Sequence, residues 1–501
     1  MRLMADSTIT QRQLESRLWG AANSLRGPVD AADFKAYVFP LLFYKWISDT
    51  WDMEHAEAVA DFGEQVAPND EAAYHRFVVP DGCHWSNLQR TTKNVGAKLQ
   101  GILDRLQQAN PDKLAGIFGD VAWGNKERLP EPSLLNLIDT FDTLTLNPKA
   151  VPNDMLGAAY EYLLKQFADE SGRKAGEFFT PRGVVLLLVK ILDPQPEETI
   201  YDPACGSGGM LVETIHEVRE KGGDARTLRL YGQDVNLTTA ALARMNLYLH
   251  GIEDFQILRG DTLRDPRFRD PDGALARFDV VIANPPFSLK NWGADSWSAD
   301  PRALFGVPPA STADFAWVQH MVASMKPGTG RVGVVMPHGV LFRAGAEKQI
   351  RQGLVQSDLL EAVIGLPPNL FYSTNIPASL LILRTRKPEV QKGTVLFVDG
   401  SAQFTKGKNQ NHLRVEGISA IVAAYRSKGA IEADSGVPVR MVEHAEIKEN
   451  GWDLNIGRYL ETGKAEPGDV ATALGNLAQA QESLREAERR LAERLRAAGY
   501  A

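Results

Sequence analysis

Apolar residues in the first part of the chain recur at helical spacing. Leu14, Leu18, Ala21, Ala22 and Leu25 fall three or four apart, and after the turn-like stretch RGPVD a similar stripe continues through Phe34, Val38, Leu41, Leu42 and Ile47. That spacing puts the side chains on one helical face. Pro40 lies inside the second stripe; lacking an N–H and clashing with the preceding turn, it is expected to kink or divide that helix. Further helical patterns occupy 94–108 and 133–143 with no alternating strands between them, so residues 1–150 read as a helical domain.

Over residues 151–400 the pattern changes. TIYDPA, RLYGQD, FQILRGD, FDVVIANPP, RVGVVMP, LLEAVIGLP and ASLLILRT each read as a short buried strand, and helical segments separate most of them. Repeated β–α alternation predicts an α/β fold with one parallel, doubly wound sheet, whose ligands bind at the carboxyl ends of the strands. The informative residues are therefore expected just after each strand. Residues 401–467 are mixed. From 468 to 501 the chain reads as a helical arm, with Leu477, Leu484 and Leu491 seven apart, Ala480 and Ala487 between them, and Glu486 placed to pair with Arg490. It serves either as a helix docked on its own domain or as a coiled-coil arm for a partner.

Composition narrows the class. With 44% hydrophobic and 24% charged residues over 501 positions, the chain can bury large cores in two or three domains. Its formal charge of −8 argues against gripping nucleic acid by general basicity, although a local groove or a basic partner remains open. Two cysteines, Cys83 and Cys205, are too few for a disulfide framework, and no apolar run approaches the roughly 18–20 residues that span a bilayer. A cytoplasmic protein without a membrane partner is expected. Cys83 beside His84 has no second ligand pair nearby, and no metal site is expected.

The strand ends carry the chemistry. TIYDPACGSGGM runs from a strand into Gly206, Gly208 and Gly209 and then a helix, a turn that lets a ligand approach the backbone closely. No GxxxxGK[ST] occurs, so this is not a phosphate loop. Asp234 ends the next strand, where a carboxylate can accept both ribose hydroxyls or cap the helix after Asn236. Asp261 follows the third, where it can accept from an adenine amine or cap a turn. A nicotinamide dinucleotide would use the first acid similarly. It would not require the corner after the fourth strand, Asn284, Pro285, Pro286 and Phe287.

The corner resembles the Asn-Pro-Pro-Phe motif of amino-group DNA methyltransferases, which implies methylation of an exocyclic amine, a poor nucleophile because its lone pair is delocalised into the ring. The Asn284 amide oxygen and the Pro285 carbonyl can accept its N–H groups and localise the lone pair, two prolines hold the carbonyls rigidly, and Phe287 offers a face for stacking. Deprotonation follows or accompanies transfer, and no residue need be a strong base. The base must leave the duplex to enter. Cys205 lies in the glycine loop rather than after the fourth strand, so it is not expected to be a covalent nucleophile.

DPACGSGG, GQD, GDTL and NPPF, in that order, resemble the motifs of amino-group DNA methyltransferases that use S-adenosylmethionine. KAGEFFTPRGVV, immediately upstream, resembles the segment preceding the glycine loop in one subgroup of them. The resemblance implies a Rossmann-like methyltransferase fold. It implies that Phe179, Thr180 and Pro181 contact the amino-acid end of the cofactor, that Gly206, Ser207 and Gly208 pass beneath it, and that Asp234 holds its ribose. Glu177, Phe178, Asp202, Gly209 and Asp261 complete the implied cofactor set, and Asn284 to Phe287 form the implied catalytic set. Asn before the prolines favours adenine N6 over cytosine N4, while the same tetrapeptide also occurs in enzymes acting on RNA bases or protein glutamine.

The flanks discriminate further. LWGAANSLRGPVDAADFKAYVFPLLFYKWISD, DFAWVQHMVASMKPGTGRVGVVMPHGVLFRAGAEKQIR and LLEAVIGLPPNLFYSTNIPASLLILR resemble modification subunits of type I restriction-modification systems across most of residues 14–386. This implies adenine methylation of double-stranded DNA, with sequence recognition by a specificity subunit that takes two copies of this chain. The chain itself shows no pair of recognition modules, and without a nucleoside-triphosphate loop, translocation and cleavage would need a restriction subunit. The terminal heptad helix is the expected docking arm.

Overall fold

The computed structural model describes residues 9–27, 29–30, 33–63, 72–171, 180–371, 376–408, 410–429, 436–460, 481–482, 485–494 and 496. Packing separates two compact units, Met1–Ile456 and Gly457–Ala501.

The first unit begins with helices. Thr10 opens α1 (Gln11–Asn23) through a capping box, in which its hydroxyl accepts from the Gln13 N–H and its own N–H donates to the Gln13 amide. α2 (Phe34–Phe62) is one helix that runs through Pro40, which the sequence expected to kink or divide it. From Tyr37 to Thr50 every residue of α2 is buried, and this burial outweighs the roughly 3 kcal/mol cost of an internal proline. α3 (Val95–Ala109), α4 (Glu131–Asp142) and α5 (Asn153–Ser171) complete the bundle. Its apolar core runs from Leu14 to Phe167 and takes in Leu242, Met245, Tyr248 and Leu249 from the sheet-covering helix α8 (Leu237–Leu249). The expected helical domain of residues 1–150 therefore shares one core with the region that follows.

α6 (Arg182–Leu192) leads into a nine-stranded sheet. Its strands are β1 (Thr199–Asp202), β2 (Arg229–Asp234), β3 (Phe255–Arg259), β4 (Val280–Ala283), β5 (Arg331–Pro337), β6 (Leu360–Gly365), β7 (Ala378–Arg384), β8 (Thr394–Asp399) and β11 (Val439–Glu443), in spatial order β11-β8-β6-β7-β5-β4-β1-β2-β3. α7 (Gly209–Glu220) links β1 to β2, α8 links β2 to β3, and α9 (Asp314–Ala323) precedes β5. β1 to β5 are parallel to their neighbours among themselves, with Ile200 opposite Leu230 and Val280.

Two expectations are corrected here. The sheet is not wholly parallel: β7 runs antiparallel between β5 and β6, and β11 antiparallel to β8. A parallel connection needs a crossover element, and none lies between β6 and β7 among the described residues. The sheet also runs past residue 400, because β8, whose inner residues are all buried, pairs with β6 and carries β11 as an edge. β9 (Phe404–Lys406) and β10 (Asn411–Leu413) form a separate hairpin, followed by α10 (Val415–Ser427).

Strand alternation builds two apolar layers. Ile200, Val280, Ile282 and Val335 join α6, α7 and α10 in one cluster, while Tyr201 turns the other way against Phe278 and His320. β1 sits between β2 and β4, the place where chain connections reverse direction. Doubly wound sheets bind ligands in the crevice at such a point.

In the second unit, residues 485–494 are helical and Leu491 is 59% exposed. Leu477 and Leu484 of the expected heptad seam lie outside the described residues. No helix among the described residues is long and apolar enough to cross a membrane.

Candidate active site

The carboxyl ends of β1 and β2 hold two buried acids. Asp202 is 2% exposed and accepts a 3.0 Å hydrogen bond from the Ala204 N–H. Burial, reinforced by the charge of Asp234, pushes its pKa up to about 8 against that hydrogen bond. Asp234 accepts from the Gly206 N–H at 3.1 Å with one oxygen and from the Asn236 N–H at 2.8 Å with the other. Burial raises its pKa too, opposed by both of these bonds. Asp234 is not the cap of α8; Asn236 is, its side chain accepting from the Thr239 N–H. Neither acid has an ion-pair partner among the described residues.

Between them runs the glycine turn. Gly206 (φ +53°) and Gly208 (φ +79°) occupy the left-handed region, which favours glycine. A Cβ on Gly208 would stand 3.4 Å from Ala243, so this position also sets how closely the turn approaches α8. The Ser207 carbonyl accepts from the Asn246 amide at 2.9 Å, and Gly209 opens α7.

Asp261 lies two residues beyond β3 and is partly exposed. It caps a turn, one carboxylate oxygen accepting from the N–H groups of Leu263 and Arg264 at 3.1 and 3.2 Å.

Asn284 follows β4 directly, and its amide N–H donates to the Thr180 hydroxyl at 2.9 Å across 104 positions of sequence. Its buried amide oxygen has no hydrogen-bond partner among the described residues. Pro285 is buried, Pro286 exposed, and Phe287 half-buried with its ring packed edge-on against Phe371 at 5.7 Å. The structure thus brings Thr180 to Asn284 and Gly206 to Asp234. Pro181 caps the start of α6. Glu177, Phe178 and Phe179 lie outside the described residues.

Sequence reasoning missed the residues that hold this corner. Ser288, at φ +52°, donates its N–H to Asp314 at 2.7 Å, and Asp314, 1% exposed, is paired in turn with Arg343. Arg302 is also missed. Its buried guanidinium donates to the carbonyls of Thr262 and Leu263 at 2.8 and 2.6 Å and is paired with Asp300, which pins the segment after the corner onto the Asp261 turn. For Asp314 the available signal was an acid opening the largely apolar helix DFAWVQHMVA; for Arg302 there was none.

Residues 151–467 match the N-6 DNA Methylase family and residues 14–141 the HsdM N-terminal domain. The type I restriction enzyme MjaVII methylase subunit of Methanocaldococcus jannaschii is 34% identical over 394 residues, which are 75% of this chain and 65% of that protein. The MpnII methylase subunit of Mycoplasma pneumoniae is 30% identical over 495 residues, 90% of this chain and 89% of that one. The crystal structure of a type I restriction-modification methyltransferase subunit from Streptococcus thermophilus matches with a TM-score of 0.77 at 30% identity, covering 90% of this chain and 99% of that one. The architecture is the Rossmann-like methyltransferase fold with a helical amino-terminal region. The chain belongs to the N-6 DNA methylase family, in the branch of type I modification subunits. Membership makes it an adenine-specific DNA methyltransferase.

Proposed function

We propose that the Asn284–Phe287 corner methylates adenine N6 in double-stranded DNA, with S-adenosylmethionine held by the carboxyl ends of β1 and β2. The observation that carries this reading is the buried amide oxygen of Asn284, without a partner among the described residues and fixed in orientation by its N–H bond to Thr180. An acceptor held in that way suits an incoming amine N–H.

The cofactor site fits its proposed ligand. Two buried carboxyls without a cation among the described residues suit a molecule that brings ribose hydroxyls and an ammonium group, and the Gly206–Gly208 turn presents backbone rather than side chains. S-adenosylmethionine, when bound, supplies an electrophilic methyl group on a sulfonium. Asp234 would accept from the ribose, Thr180 and Pro181 would border the amino-acid end, and Asp261 would accept from the adenine amine. Asn284 and the Pro285 carbonyl would accept hydrogen bonds from the amine N–H groups of a base flipped from the duplex, which localises its lone pair, while Phe287, backed by Phe371, would stack on the ring; the surplus proton leaves to solvent during or after transfer.

Sequence recognition belongs to a specificity subunit that takes two copies of this chain, with the terminal heptad helix as docking arm and a restriction subunit joining for cleavage. The complex acts in the cytoplasm, where both buried, unpaired cysteines remain reduced. The test is labelled methyl transfer to duplex DNA, with and without the specificity subunit, followed by identification of the base. N6-methyladenine formed only with the partner, and lost in Asn284→Ala, supports the proposal. Methylation of RNA or protein by the chain alone overturns it.

A further inference from the structure

Three helices converge on a histidine pair away from the catalytic corner. α5 brings Asp154 and Glu161, α7 brings Glu213 and His216 three residues apart, and His250 follows the end of α8. One potential ligand atom from each of Asp154, His216 and His250 lies within 4.8 Å of the others. The two imidazole centroids are 5.3 Å apart, with the rings inclined at 60°. His250 is 2% exposed, and neither of its ring nitrogens has a hydrogen-bond partner among the described residues. Buried polar atoms are normally satisfied, so two orphaned nitrogens on one ring call for a ligand.

We propose that Asp154, His216 and His250 bind a divalent transition-metal ion, zinc above all, in a structural site that ties α5, α7 and α8 together. Imidazole nitrogen and carboxylate oxygen are zinc's ordinary donors, at about 2.0–2.2 Å, so groups now up to 4.8 Å apart must close in by about 1 Å around one ion. Carboxylates lie near both rings: Glu213 is 3.5 Å from His216 Nδ1, and Glu161 is 3.9 Å from His250 Nε2, the latter beyond hydrogen-bond length. Metal-binding histidines are oriented by hydrogen-bonded carboxylates, a place that Glu213 is positioned to take. Carboxylates and a Glu-x-x-His pair on facing helices are also how helix bundles build metal sites.

Arg219 now donates to Asp154 at 3.2 Å, but both side chains are largely exposed, and such a pair yields readily. An ion here would brace α7, which starts at the glycine turn, against α5, the helix that precedes Thr180 in the chain. Its role is separate from methyl transfer. The sequence did not reveal it, because the ligands are scattered over three helices without paired spacing.

The test uses the full chain, stripped with chelator and titrated with zinc and with cobalt(II). Metal content, the cobalt absorption spectrum and thermal melting are read. The proposal expects one ion per chain, a cobalt spectrum of low coordination number and a higher melting temperature. Glu213→Gln should weaken binding by about 10–100-fold. His216→Asn, at a partly exposed position, and Asp154→Asn, at an exposed one, should lose the ion and the thermal shift while still folding. Zinc that leaves the melting temperature unchanged, or binding unaltered in both ligand variants, overturns the proposal.

Discussion

Replacing Thr180 with Val asks whether the Asn284 amide is aimed by its neighbour. Valine keeps the bulk and removes the hydroxyl that accepts the 2.9 Å bond from Asn284. A neutral hydrogen bond contributes about 0.5–1.5 kcal/mol, so if the loss falls entirely on the transition state, transfer slows roughly 2- to 12-fold. Asn284→Ala removes the acceptor itself. By comparison with the loss of other preorganised polar groups, it should slow transfer roughly 100- to 1,000-fold. If Thr180 acts only through Asn284, the double variant is no slower than Asn284→Ala alone. The assay is single-turnover methyl transfer to duplex DNA in the assembled complex, with cofactor affinity measured separately. A double variant slowed by the product of the two factors would refute the reasoning, as would a Thr180→Val enzyme that loses cofactor affinity but keeps its rate.

Three further outcomes follow from the same geometry. Asp314→Asn retains an acceptor for the Ser288 N–H but loses the charge facing Arg343, about 1.5–3 kcal/mol, whereas Asp314→Ala loses both contacts; urea midpoints and transfer rates should fall further for Ala. Asp202 titrates near 8 when folded and near 3.9 when unfolded, so its contribution to stability is fully present below the unfolded value and is lost as pH rises through the folded one. Urea midpoints followed from pH 6 to 9 should therefore fall less steeply in Asp202→Asn, and an unchanged slope would contradict the assignment. Gly208→Ala forces a side chain into the left-handed region at about 1–2 kcal/mol and adds a contact to Ala243, so calorimetry should show weaker cofactor binding in a less stable protein.

The candidate site was unevenly legible. Gly206, Asp234 and Asn284 stood out because each interrupts or ends a run of buried residues where strand ends deliver ligands. Asp261 was seen, but its turn-capping role was only one of two readings, since a short acid after a strand serves either purpose. Asp314 and Arg302 were passed over, because a single charge in a largely apolar helix or a loop has no periodic signature, and the Ser288 and Thr262 groups they hold lie 26 and 40 positions away. Pro40 does not divide α2, for a related reason. Local rules price a proline in isolation, while α2 is buried all round from Tyr37 to Thr50.

The chain's own pattern determined the elements, the alternation that makes an α/β sheet, and the order of residues deposited at its edge. These depend on periodicity and on residue chemistry over a few neighbouring positions. Only tertiary structure decided that β7 turns antiparallel, that Thr180 orients Asn284, that the helical region shares a core with α8, and that two histidines meet behind the glycine turn. Such contacts join residues tens to hundreds of positions apart. Their energies arise from burial and pairing that exist only once the chain has closed on itself.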